Sequence, residues 1–175
     1  MIRDELPLYV AAAGLASLLI LNIAAPFIQS AGTVLGLDGT VGIVDHRQLW
    51  SSMDPVSGIM YTLGDFFCHQ DEARTLILNG NEMPICMRDA ALMTSLAAGL
   101  VLTAGFWNFS SRMDNRMILV CAILVALTPI EWALEGALDV DSPALRVVVS
   151  VPTGIGGAFL VARLLGMELG RPNGM

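Results

Sequence analysis

The sequence predicts an all-α integral membrane protein: a polytopic bundle of about four transmembrane helices with one long, structured outer loop. Three observations carry that prediction. The 175-residue chain is 55% hydrophobic and only 14% charged, where a soluble domain is roughly a quarter charged. Its mean hydropathy is +0.67. Its apolar residues gather into four runs, each near the ~20 residues that a helix needs to cross a bilayer.

The first span is PLYVAAAGLASLLILNIAAPFI, residues 7–28. Pro7 suits a first helical turn, and Pro26 breaks or kinks the far end. The run lacks a strongly basic leader and is too long for the apolar core of a signal peptide, so it reads as a retained helix. The second span is residues 90–109, ending in an interfacial Trp107. The third is 116–134 and the fourth 144–166. Only SSRMDN separates the second from the third, which predicts an antiparallel hairpin. The whole chain, 1–175, reads as a single membrane domain.

The connection over 31–89 is the outer loop. Its first part, AGTVLGLDGTVGIVD, is rich in glycine and turn residues. The stretch 44–67 mixes polar and apolar residues and suits one or two short interfacial or re-entrant helices, or a tilted fifth segment. Within it, residues 56–67 are too short to cross alone.

Arginine placement sets the orientation, since every basic residue is arginine. With the N-terminus inside, the cytoplasmic side carries Arg3, Arg112, Arg116, Arg163 and Arg171. The other side carries Arg47, Arg74, Arg88 and Arg146 over a longer sequence, together with most of the acids, including Asp71, Asp139 and Asp141. The expectation is a multi-pass cell-membrane protein with both termini cytoplasmic and loop 31–89 outside, where disulfides are permitted. A net charge of −7 argues against nucleic acid as a partner. Membrane lipids are the expected surroundings, with other membrane subunits or a homo-oligomer as further partners.

Two polar constellations carry candidate chemistry. In the first, Cys68 and His69 are adjacent, Cys86 follows Pro84, and Asp89 lies three residues beyond Cys86. At a helix start, i and i+3 share a face, so Cys86 and Asp89 point to one spot. Cys68, His69, Cys86 and Asp89 offer a tetrahedral zinc set, although adjacent ligands are sterically awkward. A Cys68–Cys86 disulfide, a redox-active thiol and plain packing stay open beside it. Cys121, inside the third span, reads as a small hydrophobe.

The second constellation is TPIEWALEGALDVDS. Glu131 and Glu135 are one turn apart on one helix face, and Arg146, across a short link, is their natural counter-charge. Ionisable groups inside a bilayer are costly unless paired or facing a cavity. Glu135 also suits a solvated position at the interface. In the fourth span, PTGIGG offers small residues for close helix approach and a proline that permits a backbone break. There is no Walker sequence, GxSxG elbow or HExxH, and no sign of haem, flavin or nucleotide binding. His46, between Asp45 and Arg47, reads as a solvated turn.

The CHQ triplet Cys68-His69-Gln70, then Arg74, then Pro84-Ile85-Cys86-Met87-Arg88, resembles the membrane-protein family catalogued as domain of unknown function 2085. That family's pattern joins CHQ and P-x-C-x-R to a four-helix bundle. A later proline and acid follow, matched here by Pro129 and Glu131. An arginine and TG-x-x-G come next, matched by Arg146, Thr153, Gly154 and Gly157. Where the family carries a second cysteine, this chain has Asp89, and Glu131-Trp132 replaces its usual Asp-Gly. Asp for Cys is tolerable at a zinc vertex but not in a CxxC disulfide mechanism. The resemblance implies a fold and a site and brings no activity. Three functional classes are therefore expected: a metal-binding membrane protein, an accessory structural subunit, or an enzyme on a lipid or envelope substrate. In the enzyme, Glu131 or Asp89 would be the base. A transport path lined by Glu131, Glu135 and Arg146 is a weaker reading, since four spans show no internal repeat.

Overall fold

The computed structural model describes residues 2–70, 72–138 and 142–169. Asp71, Asp139, Asp141 and Arg171, counted in the charge asymmetry, lie outside the described residues. The structure bears out an all-α membrane fold. Among the described residues, four helices are long and apolar enough to span: α1 (Ile2–Ile28), α4 (Met87–Gly105), α6 (Asn115–Leu138) and α7 (Pro143–Leu169). Between α1 and α4 lie two short helices, α2 (Arg47–Ser51) and α3 (Pro55–Phe67), and the strands β1 (Thr75–Leu78) and β2 (Asn81–Cys86). A short α5 (Trp107–Ser110) precedes α6.

The boundaries differ from the sequence reading for local reasons. α1 starts at Ile2, ahead of Pro7, and places Asp4 and Glu5 in its first turn, where carboxylates favour the helix dipole. α4 starts at Met87, so Asp89 belongs to its first turn and not to the loop. It stops at Gly105, and Phe106 leaves helical geometry (φ −109°, ψ 38°) before α5. Pro129 and Pro152 sit inside α6 and α7 without ending them.

The chain divides into two compact units: Met1–Ala16 with Ala91–Met175, and Ser17–Ala90. In the first, α7 is the common partner. Leu8 and Ala12 of α1, Leu100 and Ala104 of α4, and Ala158 and Ala162 of α7 form its buried core. Small residues set the α4–α7 approach: a Cβ on Gly154 would lie 2.0 Å from Ser95 Oγ and 2.7 Å from the Leu96 nitrogen. This is the close packing expected of PTGIGG. α6 packs along α7, where Thr128 Oγ1 donates to Thr153 Oγ1 at 2.8 Å.

In the second unit, the β-hairpin turns at Asn79-Gly80, both at positive φ (52° and 71°). Asn-Gly is the favoured pair for a two-residue hairpin turn. Two buried residues of β2 then fasten the glycine-rich segment. Asn81 Oδ1 accepts from the backbone N–H groups of Thr33 and Val34, and Asn81 Nδ2 donates to the carbonyls of Pro26 and Ser30. The Glu82 carboxylate accepts from the Gly36 and Leu37 backbone N–H groups. A second core, Ala25, Val34, Leu37, Trp50, Met60 and Tyr61, closes the unit.

Candidate metal centre

β2, α3 and α4 bring three of the four proposed ligands together. Ligand atoms of Cys68, Cys86 and Asp89 all lie within 4.8 Å of one another. Each owes its place to the end of an element. Cys68 caps the C-terminus of α3 in extended conformation (φ −129°, ψ 152°). Cys86 is the last residue of β2, and Asp89 stands in the first turn of α4. The expected i, i+3 relation is present: Cys86 Sγ donates to Asp89 Oδ2 at 3.3 Å. Gly64 lets α3 meet β2, because a Cβ there would lie 1.9 Å from the Pro84 carbonyl oxygen.

His69 is not brought to this cluster. In extended chain, neighbouring side chains point to opposite sides. Cys68 and Gln70 are accordingly buried, while His69 is exposed and places Nδ1 3.2 Å from the Gly39 carbonyl oxygen. Gln70 holds left-handed geometry (φ 47°). Its Nε2 donates to the Pro84 carbonyl at 3.2 Å and to the Tyr61 carbonyl at 3.5 Å. The motif residue Gln70 thus clamps α3 against β2 beside the cysteines. Arg74 and Arg88 are half-buried, in the turn before β1 and the first turn of α4.

The two thiols are unequal. The Cys86 thiol faces Cys68, and that hydrogen bond holds the Cys68 pKa below the ordinary thiol value. Cys86 is pushed up, by the same hydrogen bond to Cys68 and by burial. Two thiols beside a carboxyl group are, once deprotonated, a donor set for a soft or borderline divalent cation. All three cysteines, Cys121 included, are free thiols in this structure.

The second constellation forms a buried ion pair. Arg146 Nε lies 2.8 Å from Glu135 Oε1, with the guanidinium fully buried. Glu131, one turn before Glu135, is also buried. Both acids line an apolar cavity of about 300 Å³ with Leu127, Ile130, Leu134, Leu138, Leu145 and Val149. Glu135 is therefore held in a buried pair and not merely solvated.

Sequence reasoning missed a buried carboxylate at Asp65. It accepts from Trp50 Nε1 at 2.7 Å and from the His46 backbone N–H at 3.0 Å. His46 is tied into the fold: its Nε2 lies 3.3 Å from Asp38 Oδ1 and its ring tilts against Trp50. The available signal was an acid at helical spacing inside the otherwise apolar run Pro55–Phe67.

Residues 68–160 match the family model described as "Predicted membrane protein (DUF2085)". The match covers more than half of the chain, which belongs to that family. No curated protein and no solved structure matches the chain.

Proposed function

We propose that this DUF2085 member binds a divalent metal, zinc by preference, through Cys68, Cys86 and Asp89. The observation that carries the reading is the convergence of these three donor atoms within 4.8 Å. Around zinc, two thiolate sulfurs stand roughly 3.8 Å apart, from Zn–S bonds of ~2.3 Å in tetrahedral geometry. Donor atoms that lie within 4.8 Å of one another are compatible with that spacing. Because His69 faces elsewhere, three protein ligands among the described residues would leave one vertex for an exchangeable group, the arrangement of a reactive rather than a closed structural zinc site. A zinc ion held there by Cys68, Cys86 and Asp89 would supply Lewis-acid chemistry toward a water, carbonyl or phosphoryl oxygen. It suits an enzyme acting on a lipid or envelope substrate more than a purely structural subunit.

The arginine distribution supports placing the centre near the outer membrane surface with both termini cytoplasmic. The test is metal content of protein purified in mild detergent. About one zinc per chain is expected in the parent and in Cys121→Ser, and none in Cys68→Ser. Zinc-free protein with one titratable thiol would instead support a Cys68–Cys86 disulfide that staples the loop, and an accessory role in a larger assembly.

A further inference from the structure

We infer that α3 dips into the membrane and presents one face to phospholipid acyl chains. Its two sides separate cleanly. Ser57, Met60, Tyr61, Gly64 and Asp65 are buried against protein. On the other side Val56, Ile59, Leu63, Phe66 and Phe67 are exposed, with Ile59 56% and Phe67 66% accessible. A helix facing water carries polar residues on its outer side; this one carries none that is charged. Thr62 turns its hydroxyl inward, donating to the Gly58 carbonyl at 2.6 Å.

The contacts of α3 with α1 say what covers that face. Gln29 Nε2 donates to Asp54 Oδ2 at 2.7 Å, Ser57 Oγ to the Ala25 carbonyl at 3.4 Å, and Asn22 Nδ2 to Met60 Sδ at 3.8 Å. As α1 numbers fall, α3 numbers rise, so α3 runs back along the end of a helix that spans Asp4–Ile28. Asp54 and Pro55 start at the mouth of the span, and Met60 lies about two helical turns further along α1, beside Asn22. The turn 41–43 joins the same patch: the Gly42 N–H donates to the Phe66 carbonyl at 2.8 Å, and Val41 and Ile43 are exposed. Thirteen residues give about 20 Å of helix, too short to cross and long enough to enter.

The experiment places a photo-crosslinking phenylalanine analogue at Ile59, Leu63 or Phe67, and as control at Asp38, in phosphatidylcholine nanodiscs. Lipid adducts at the three α3 positions, at least five-fold above Asp38, are expected. Adducts to a second copy of the chain, or no excess over Asp38, overturn the proposal. Phe67→Trp provides a second measurement that needs no crosslinker. The added tryptophan emission should be quenched by lipid brominated on its acyl chains, and emission that is not quenched overturns the proposal equally.

Discussion

The Cys86 sulfur sits 3.3 Å from the Asp89 Oδ2 atom, one helical turn further along the chain. That pair sets two potential donor atoms side by side at the end of a strand and the start of a helix, and Cys68 closes on them from the cap of α3. Asp89→Ala is therefore expected to weaken zinc binding by ten- to a hundred-fold in competition with a chromophoric chelator. Asp89→Cys, which restores the cysteine of the family pattern, is expected to bind at least as tightly as the parent. His69→Ala should leave stoichiometry and affinity unchanged, since that ring lies on Gly39.

Zinc binding must displace the proton held on Cys86, whose pKa is raised by its hydrogen bond to Cys68 and by burial. Affinity should therefore climb with pH, by about ten-fold per pH unit for each proton released. Titrations between pH 6 and 8 check this, and a flat profile contradicts it.

In the helical unit, Arg146→Met leaves Glu135 buried without its guanidinium partner. Loss of one member of a buried pair costs about 3–5 kcal/mol. Thermal unfolding in detergent should show the single variant well below the parent. Arg146→Met with Glu135→Leu should recover part of the loss.

Gly154→Ala forces a methyl group against Ser95 Oγ and the Leu96 backbone. Overpacking of this kind costs about 1–3 kcal/mol. The expected readout is a lower Tm. Gly105→Ala, whose Cβ meets nothing within 4 Å, serves as the control.

Asp54 caps α3, accepting from the Val56 and Ser57 backbone N–H groups at 3.0 and 3.1 Å. Its hydrogen bonds, led by that from the Ser57 side chain, lower its pKa from the usual 3.8. A depressed carboxylate stabilises the fold above the unfolded pKa and loses that contribution as pH falls through the folded value. Asp54→Ala should cost about 1 kcal/mol at pH 7, and the difference from the parent should vanish in the acid range below the usual value.

The spans were legible because hydrophobic length is a one-dimensional property, and α6 and α7 overlap the expected runs with margins of a few residues at each end. Cys86 with Asp89 was legible because i, i+3 proximity is local. The separation of His69 from Cys68 depends on Cys68 adopting extended backbone at the end of α3, which adjacency in sequence does not reveal. The hairpin had a signal in Asn79-Gly80 between TLIL and NEMPIC, but Pro84 and the acidic Glu82 disguise β2 as loop. Glu82 and Asn81 are buried because they bond the backbone of the segment before α2, a pairing across more than forty positions that no spacing encodes.

X-ray absorption at the zinc edge on the zinc-loaded protein tests the central claim most directly. The account predicts two sulfur neighbours at about 2.3 Å and lighter oxygen neighbours near 2.0 Å, with a third sulfur gained in Asp89→Cys. A shell without sulfur, or protein that takes up no zinc with its thiols reduced, would contradict it.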